Sequence, residues 1–194
     1  MKQLLFLPID INIDLNEFKR THTETKIPTS PIQPYWDSVA LDKQSVLQNS
    51  VKQIIDQLPF SSITLVMHKF QTRPVGAHYD VYPNHMKFAP GELDNINENE
   101  PCGYRLVIHG SQNVLEVYDG DQWHCPVLPS MPCCYLIDST RLRHKVKDDP
   151  GRELLYFRGI IDRTKHLDLI DRSMKKYSDM ALYYKQLHTA SIIE

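Results

Sequence analysis

Apolar side chains recur every three or four residues in two stretches of the chain, the spacing that places them on one face of an α-helix. Asp42 can cap the first stretch, and Pro59 ends it, whereas the second begins after Thr164. The apolar positions are Leu47, Val51, Ile54, Ile55 and Leu58 in the first stretch and Ile170, Met174, Tyr177, Ala181 and Tyr184 in the second. The pattern predicts helical flanks at 38–58 and 165–188.

Between these helices the chain consists of short runs rich in β-branched and aromatic residues, separated by Gly, Pro, Asn and Asp. The runs are Ile63–Phe70, Val75–Tyr82, Tyr104–His109, Val114–Tyr118, Cys133–Asp138, His144–Lys147 and Glu153–Ile161. We therefore expect a single, mainly β domain over residues 1–194. Its expected fold is a double-stranded β-helix (jelly roll, cupin-like), with the core at about 62–162 and helices packed on one sheet.

One connection between the predicted strands is much longer than the others. The segment Pro83–Gly103 is polar and follows the second predicted strand directly. Loops of this length are often functional, and this one is placed where it could close over a site as a lid. An ordinary surface loop is an equally good interpretation.

Composition narrows the classes of function. The chain is 41% hydrophobic and 24% charged, with a formal net charge of −2. Its only dense basic run is the short stretch 141–145, so a nucleic-acid partner is disfavoured. No apolar run approaches the roughly 20 residues that span a bilayer. Four cysteines without a CxxC spacing suggest reduced thiols and a cytoplasmic protein.

The residues His78-Tyr79-Asp80 fall in a predicted strand, where side chains alternate between faces. The imidazole of His78 and the carboxylate of Asp80 would therefore point the same way and could bind one cation. His144, at the start of a later strand, is a candidate third ligand. Two histidines and one carboxylate that leave open positions are typical of non-haem Fe(II) oxygenases. On its own, however, an HxD triplet arises often by chance, and a lone histidine is usually a surface or core residue.

An arginine enters the strand that follows His144. Arg152 comes after a turn at 147–151, and a guanidinium pointing into the β core matches a carboxylate in a bidentate way. On an extended strand Arg158 would point to the same face as Arg152, so it could also face inward. Burying an arginine is costly without a compensating anion, so this position favours a site for a dicarboxylate.

The chain has an HxD triplet, and about sixty residues later a histidine, a turn and an arginine. This order resembles that of the 2-oxoglutarate/Fe(II)-dependent dioxygenases. Within that superfamily the chain is most similar to the aspartyl/asparaginyl β-hydroxylase-like branch, which includes the free-proline hydroxylases. The resemblance spans roughly residues 62–162 and is carried by Pro74–Asp80, Tyr104–His109, Tyr135–Asp138 and the triplet His144-Lys145-Val146.

This resemblance implies that His78, Asp80 and His144 bind Fe(II) and that Arg152 binds 2-oxoglutarate, with Arg158 as the second candidate for that role. Arg105 falls where the branch places a pocket arginine. The branch often continues R-x-H there, whereas this chain has Val107 and reaches a histidine only at His109. Arg105, His109 and Tyr82 are therefore expected only as pocket residues, without assigned roles.

The expected activity is hydroxylation of an amino acid, a peptide or protein side chain or a small metabolite, with O₂ as co-substrate and succinate and CO₂ as products. Ascorbate is a possible reductant, and the partner would be a small molecule or a peptide. The sequence does not determine the oligomeric state. Three alternatives remain: a non-catalytic cupin-like binding module, a cupin metalloenzyme such as an isomerase, and a nucleic-acid demethylating dioxygenase, which the Arg-x5-Arg spacing of Arg152 and Arg158 resembles.

Overall fold

A computed structural model describes residues 4–18, 36–40, 49–71, 73–78, 101–137 and 143–184, although the side chains of 36–40, 64, 65, 101 and 102 are not described. The described chain is mainly β, with two helices and antiparallel sheets. In chain order the elements are β1 (Leu4–Ile9), β2 (Trp36–Ala40), α1 (Asn49–Ile55), β3 (Phe60–Gln71), β4 (Val75–His78), β5 (Pro101–His109), β6 (Leu115–Tyr118), β7 (Trp123–His124), β8 (Cys133–Ile137), β9 (His144–Val146), β10 (Glu153–Ile161), α2 (Arg163–Tyr177) and β11 (Leu182–Tyr183).

The described strands form two sheets. The larger has seven strands in the order β11-β1-β8-β5-β10-β3-β2, and the smaller has four in the order β4-β9-β6-β7. Every strand pair is antiparallel. The mainly β prediction is therefore confirmed.

Two apolar cores lie on the two faces of the larger sheet. One core joins both sheets, because it combines Val107 and Tyr135 of the larger sheet with Val117 and Val146 of the smaller one. We call the side of the larger sheet that contributes to this core the inner face. The other core packs the opposite side, here called the helix face, against both helices. It includes Val51, Ile54, Leu106, Leu155, Phe157, Leu169 and Ile170. Each such side chain, when buried, contributes about 1.5–3 kcal/mol.

The helix α2 begins where its sequence supplies a cap. The side chain of Asp162 accepts a hydrogen bond from the backbone N–H of Lys165 at 3.1 Å. Four buried positions then follow at helical spacing and face the sheet: His166, Leu169, Ile170 and Ser173. The helix therefore forms one edge of the helix-face core.

Both predicted helical flanks are too long. The first was expected over 38–58, but Trp36–Ala40 is a strand that pairs with β3, and the described helix α1 covers Asn49–Ile55. Its predicted cap Asp42 and the position Leu47 lie outside the described residues. The second flank ends at Tyr177, after which Leu182–Tyr183 pairs with β1. In both places the backbone extends the larger sheet, and this pairing overrides the local helical pattern.

Two further differences concern strands. The N-terminal strand β1 was not predicted, although its six residues form a continuous apolar run and all are buried. The strand β5 starts at Pro101, so the last three residues of the predicted loop Pro83–Gly103 belong to a strand. Residues 83–100, which contain the rest of the candidate lid, lie outside the described chain. In the part of the chain that is described, no helix is long and apolar enough to cross a membrane.

Candidate metal centre

His78 and His144 lie directly opposite each other on the neighbouring strands β4 and β9. Their ring centroids are 4.2 Å apart, with 48° between the ring planes. His144 is two residues from Val146, which belongs to the core between the sheets, so both imidazoles are on the side of the smaller sheet that faces this core. The register shifts between Val75 and His78, and this irregularity is what brings His78 level with His144.

The hydrogen bonding of His78 defines which of its ring nitrogens can bind a metal. Its Nδ1 is 2.8 Å from the carbonyl oxygen of Gly76, which can only accept a hydrogen bond. Nδ1 therefore donates this hydrogen bond, and in the neutral tautomer Nε2 is the ring nitrogen that carries the lone pair. His144 is only 6% exposed, so an ion between the two rings would be partly shielded from solvent.

The distance between the two rings is close to that between two imidazoles on one metal ion. Imidazole nitrogen binds an ion such as zinc at about 2.0–2.1 Å, so two rings on one ion lie roughly 4–5 Å apart between centroids. The predicted third ligand, Asp80, and the predicted pocket residue Tyr82 lie outside the described residues. Among the described residues, no group of three His, Cys, Asp or Glu side chains is placed to hold a metal. The structure thus brings together two of the three predicted ligands and does not describe the third.

A row of large polar side chains crosses the inner face of the larger sheet. Arg105 on β5 is directly opposite Tyr135 on β8 and Tyr156 on β10. Directly opposite residues of antiparallel strands point to the same face. Since Tyr135 belongs to the core between the sheets, the whole row faces the sheet that carries His78 and His144. Arg105 is 7% exposed, so its charge lies inside the β core.

Arg152 is completely buried immediately before β10. Its side chain is 0% exposed, and its Nη2 donates a hydrogen bond to the hydroxyl of Tyr135 at 3.2 Å. Backbone hydrogen bonds hold the residue in place: its N–H donates to the carbonyl of Asp149, and its carbonyl accepts from Gln71. Gly110, at φ +142°, makes room for the side chain, because a Cβ there would lie 2.9 Å from Cγ of Arg152.

Two more cationic side chains extend this inner face. Lys69 on β3 is opposite Leu154, which has the same parity as Tyr156. Arg158 is two residues beyond Tyr156 and is half-buried. Lys69, Arg105, Arg152 and Arg158 are therefore on one side of the larger sheet. Positive charges grouped in this way raise the electrostatic potential on this side of the sheet.

The strand register separates His109, a predicted pocket residue, from Arg105. The pairing of β5 with β10 shifts between Leu154 and Glu153, so that Val107 faces Leu154 while His109 faces Glu153. The extra residue is Ile108, which packs against the helix-face core. Such a bulge reverses the alternation of side chains, and His109 is exposed on the side away from Arg105.

Two buried histidine pairs occupy the helix face. His68 is 2.7 Å from Oε1 of Glu153, with side chains 0% and 2% exposed, and Nδ1 of His166 is 2.8 Å from the hydroxyl of Tyr104. Both pairs are separated from the candidate metal centre by the sheet itself. They satisfy buried polar groups and connect β3 to β10 and β5 to α2.

Sequence reasoning missed three residues of the inner face. They are Tyr135, Tyr156 and Lys69. On its strand, each alternates with residues of the helix face, so each points to the inner face once the partner strand is known. The sequence shows which residues of a strand share a face, but it does not show which distant strands pair.

Comparison of the sequence with protein-family models and with curated proteins finds no match to either. The functional interpretation therefore depends on the site, because a fold by itself does not define an activity.

Proposed function

We propose that the two sheets are the halves of a double-stranded β-helix. This proposal is supported by the order of the strands from β3 to β10, which alternate between the sheets except that β6 and β7 pair with each other in the smaller one. β3, β5, β8 and β10 are in the larger sheet, and β4, β6, β7 and β9 are in the smaller one. A jelly roll arises when an antiparallel chain winds between two sheets in this manner. Strands β1, β2 and β11 would then be additions to the edges of the larger sheet.

We propose that the protein is an Fe(II)- and 2-oxoglutarate-dependent dioxygenase that hydroxylates a small molecule or a peptide. The observation that carries the proposal is the opposition of His78 and His144, with ring centroids 4.2 Å apart. These histidines come from the HxD triplet and from the distal histidine of the motif. The sequence places Asp80 two residues after His78, where an extended chain would carry its carboxylate to the same side.

The chain's own residues have distinct roles in this proposal. His78, His144 and Asp80 would hold the iron, His78 through Nε2, because its Nδ1 donates a hydrogen bond to the carbonyl of Gly76. Arg152 binds the distal carboxylate of 2-oxoglutarate, for which its planar guanidinium provides paired donors. The core between the sheets limits access of water to this region. When bound with 2-oxoglutarate and O₂, an iron centre of this kind supplies the oxidation of an unactivated C–H bond, with succinate and CO₂ as products.

An anaerobic titration with Fe(II) and 2-oxoglutarate tests the proposal. The wild-type protein should bind about one Fe(II) per chain and should bind 2-oxoglutarate more tightly in the presence of the metal. His144→Ala should lose stoichiometric iron binding while its circular dichroism spectrum remains that of the wild type. The matched control is His109→Ala, which removes an exposed histidine from the other side of the sheet and should bind iron normally.

Three outcomes are distinct. Iron binding followed by succinate release with a substrate supports the dioxygenase. Binding of iron and 2-oxoglutarate without turnover of any substrate supports the non-catalytic module instead. Unchanged iron binding in His144→Ala contradicts the ligand assignment and, with it, the proposed function.

A further inference from the structure

Gln71, the last residue of β3, donates hydrogen bonds to three separate segments of the chain. Its backbone N–H donates to the carbonyl of Arg152 at 2.9 Å. Its side-chain Nε2 donates to the carbonyl of Lys147 at 2.6 Å and to the carbonyl of Arg73 at 3.2 Å. The residue is 5% exposed, so its amide is largely shielded from water, which would otherwise compete for these contacts.

The three segments are the ones that carry the candidate iron site. Lys147 directly follows β9, the strand of His144, and Arg73 comes two residues before β4, the strand of His78. Arg152 directly precedes β10. The glutamine on β3 therefore connects the ends of both histidine strands to the segment that holds the buried guanidinium.

This connection crosses from one sheet to the other. Gln71 is two residues beyond Lys69 on β3, so its side chain is on the inner face of the larger sheet, whereas β4 and β9 belong to the smaller sheet. No described strand of one sheet pairs with a strand of the other, and apolar side chains pack between them. Apolar packing is not directional but a hydrogen bond is, so the amide of Gln71 can fix how the sheets align at this end of β3.

The type of residue at position 71 matches these contacts. Both partners of Nε2 are carbonyl oxygens, which only accept hydrogen bonds, so the amide is held in one orientation. Among the described residues, no donor is within reach of its Oε1. Methionine has a similar volume and no donor, so a substitution by methionine removes both side-chain contacts with little change in packing.

We propose that Gln71 is a positioning residue, whose amide aligns the histidine pair with Arg152 so that one molecule of 2-oxoglutarate reaches the metal and the guanidinium together. This role rests on the proposed function, in which His78 and His144 hold the iron and Arg152 binds the distal carboxylate. The two histidines face each other within one sheet. Loss of the amide therefore leaves the affinity for iron intact and weakens only the simultaneous contact with Arg152.

The test compares two ligands that differ only at the end that Arg152 would bind. One is 2-oxoglutarate, and the other is 2-oxopentanoate, which has the same chain length but ends in a methyl group. Anaerobic calorimetry gives Kd for each acid with the Fe(II)-loaded wild-type protein and with Fe(II)-loaded Gln71→Met. The wild type should prefer 2-oxoglutarate. In Gln71→Met this preference should fall about ten-fold, while Kd for Fe(II) and for 2-oxopentanoate stays within about two-fold.

The matched control is Gln57→Met. Nε2 of Gln57 also donates to two carbonyls, those of Asn12 and Gln53, at 2.9 and 3.0 Å, but this glutamine lies just after α1. The control should leave all three constants unchanged. A general loss of stability would weaken both acids equally, so only a positioning role predicts a change in their ratio. If Gln71→Met does not fold, Gln71→Asn replaces it, because the shorter amide cannot make both contacts as they stand.

The outcomes separate this role from the proposed function. If the wild type binds Fe(II) and prefers 2-oxoglutarate, and Gln71→Met keeps that preference, the positioning role is overturned and the dioxygenase stands. Equal weakening of both acids, or loss of Fe(II) affinity, in Gln71→Met also overturns it, because Gln71 would then support the fold or the metal strands in general. A wild type that binds neither Fe(II) nor 2-oxoglutarate contradicts the proposed function itself and, with it, the role of Gln71.

Discussion

The hydroxyl of Tyr135 accepts a hydrogen bond from Nη2 of Arg152 at 3.2 Å, in an interior where the two residues are 1% and 0% exposed. A tyrosine on β8 thereby orients a guanidinium that enters from the start of β10. Burying a guanidinium is costly unless its donors are engaged, so this contact contributes to stability and, in the proposed function, to the binding of 2-oxoglutarate.

Tyr135→Phe should therefore weaken the protein in two ways. Removing the acceptor of a charged donor should lower the free energy of unfolding by about 1.5–3 kcal/mol, measured by urea denaturation. The less well oriented Arg152 should also raise Kd for 2-oxoglutarate by about five-fold, the equivalent of roughly 1 kcal/mol. An unchanged Kd would show that Tyr135 supports Arg152 structurally without serving the ligand.

Gly103→Ala should displace the ring of Tyr156. The new methyl group would lie 2.7 Å from Cε2 of that ring, and overpacking of this kind costs about 1–3 kcal/mol. In a Tyr156→Leu background the ring is absent, so the same substitution should cost less. A double-mutant cycle in urea measures this difference, and an equal cost in both backgrounds would rule out the ring as the cause.

The thiols should differ sharply in reactivity. Burial raises the pKa of Cys133 to about 12, against a smaller lowering by nearby Arg152, and burial also raises the pKa of Cys134. Cys125 is exposed. Because the thiolate is the reactive form, iodoacetamide at pH 7.5 should modify Cys125 in the native protein and the other two only after unfolding.

Peptide mass mapping in a Cys102→Ser background provides the measurement, since the side chain of Cys102 is not described. Cys125→Ser in the same background is the control and should show almost no labelling while folded. Rapid native labelling of Cys133 or Cys134 would contradict the described burial.

Asp119 should make stability depend on pH in the acid range. Burial by itself raises the pKa of this carboxyl, but hydrogen bonds from the backbone of Gln122, from His124 and from the backbone of Asp121 outweigh it, and the pKa is lowered from 3.8. A carboxyl whose folded pKa is depressed stabilises the protein above its unfolded pKa. That contribution is lost as the pH falls through the folded value, so the loss should occur below about pH 4.

Asp119→Asn should accordingly reduce the free energy of unfolding by about 1.5–3 kcal/mol at pH 7, where the charged acceptor is lost. The variant should also show a flatter decline in stability as the pH falls below about 4. Urea titrations at several pH values measure both effects. Asp148→Asn, which changes an exposed aspartate, is the control. A parallel decline of wild type and Asp119→Asn would exclude Asp119 as the source.

The sequence alone was sufficient for local features. A run rich in β-branched and aromatic residues predicted β10 at Glu153–Ile161, and the structure has the same bounds. The HxD triplet and the distal histidine were chosen by spacing and chemistry, and the structure places His78 opposite His144. These features were predictable because they depend on the period of a strand and on the chemistry of a few side chains.

Tertiary structure alone decided which distant segments share a sheet. The segments at Trp36–Ala40 and Leu182–Tyr183 became edge strands by pairing with β3 and β1, whatever their local pattern favoured. One bulge moved His109 away from Arg105, and strand pairing placed Tyr135, Arg105 and Tyr156 in one row. The reason is physical: register and bulges arise from hydrogen bonds and packing between strands far apart in the chain, whereas the period of a single strand is a local property.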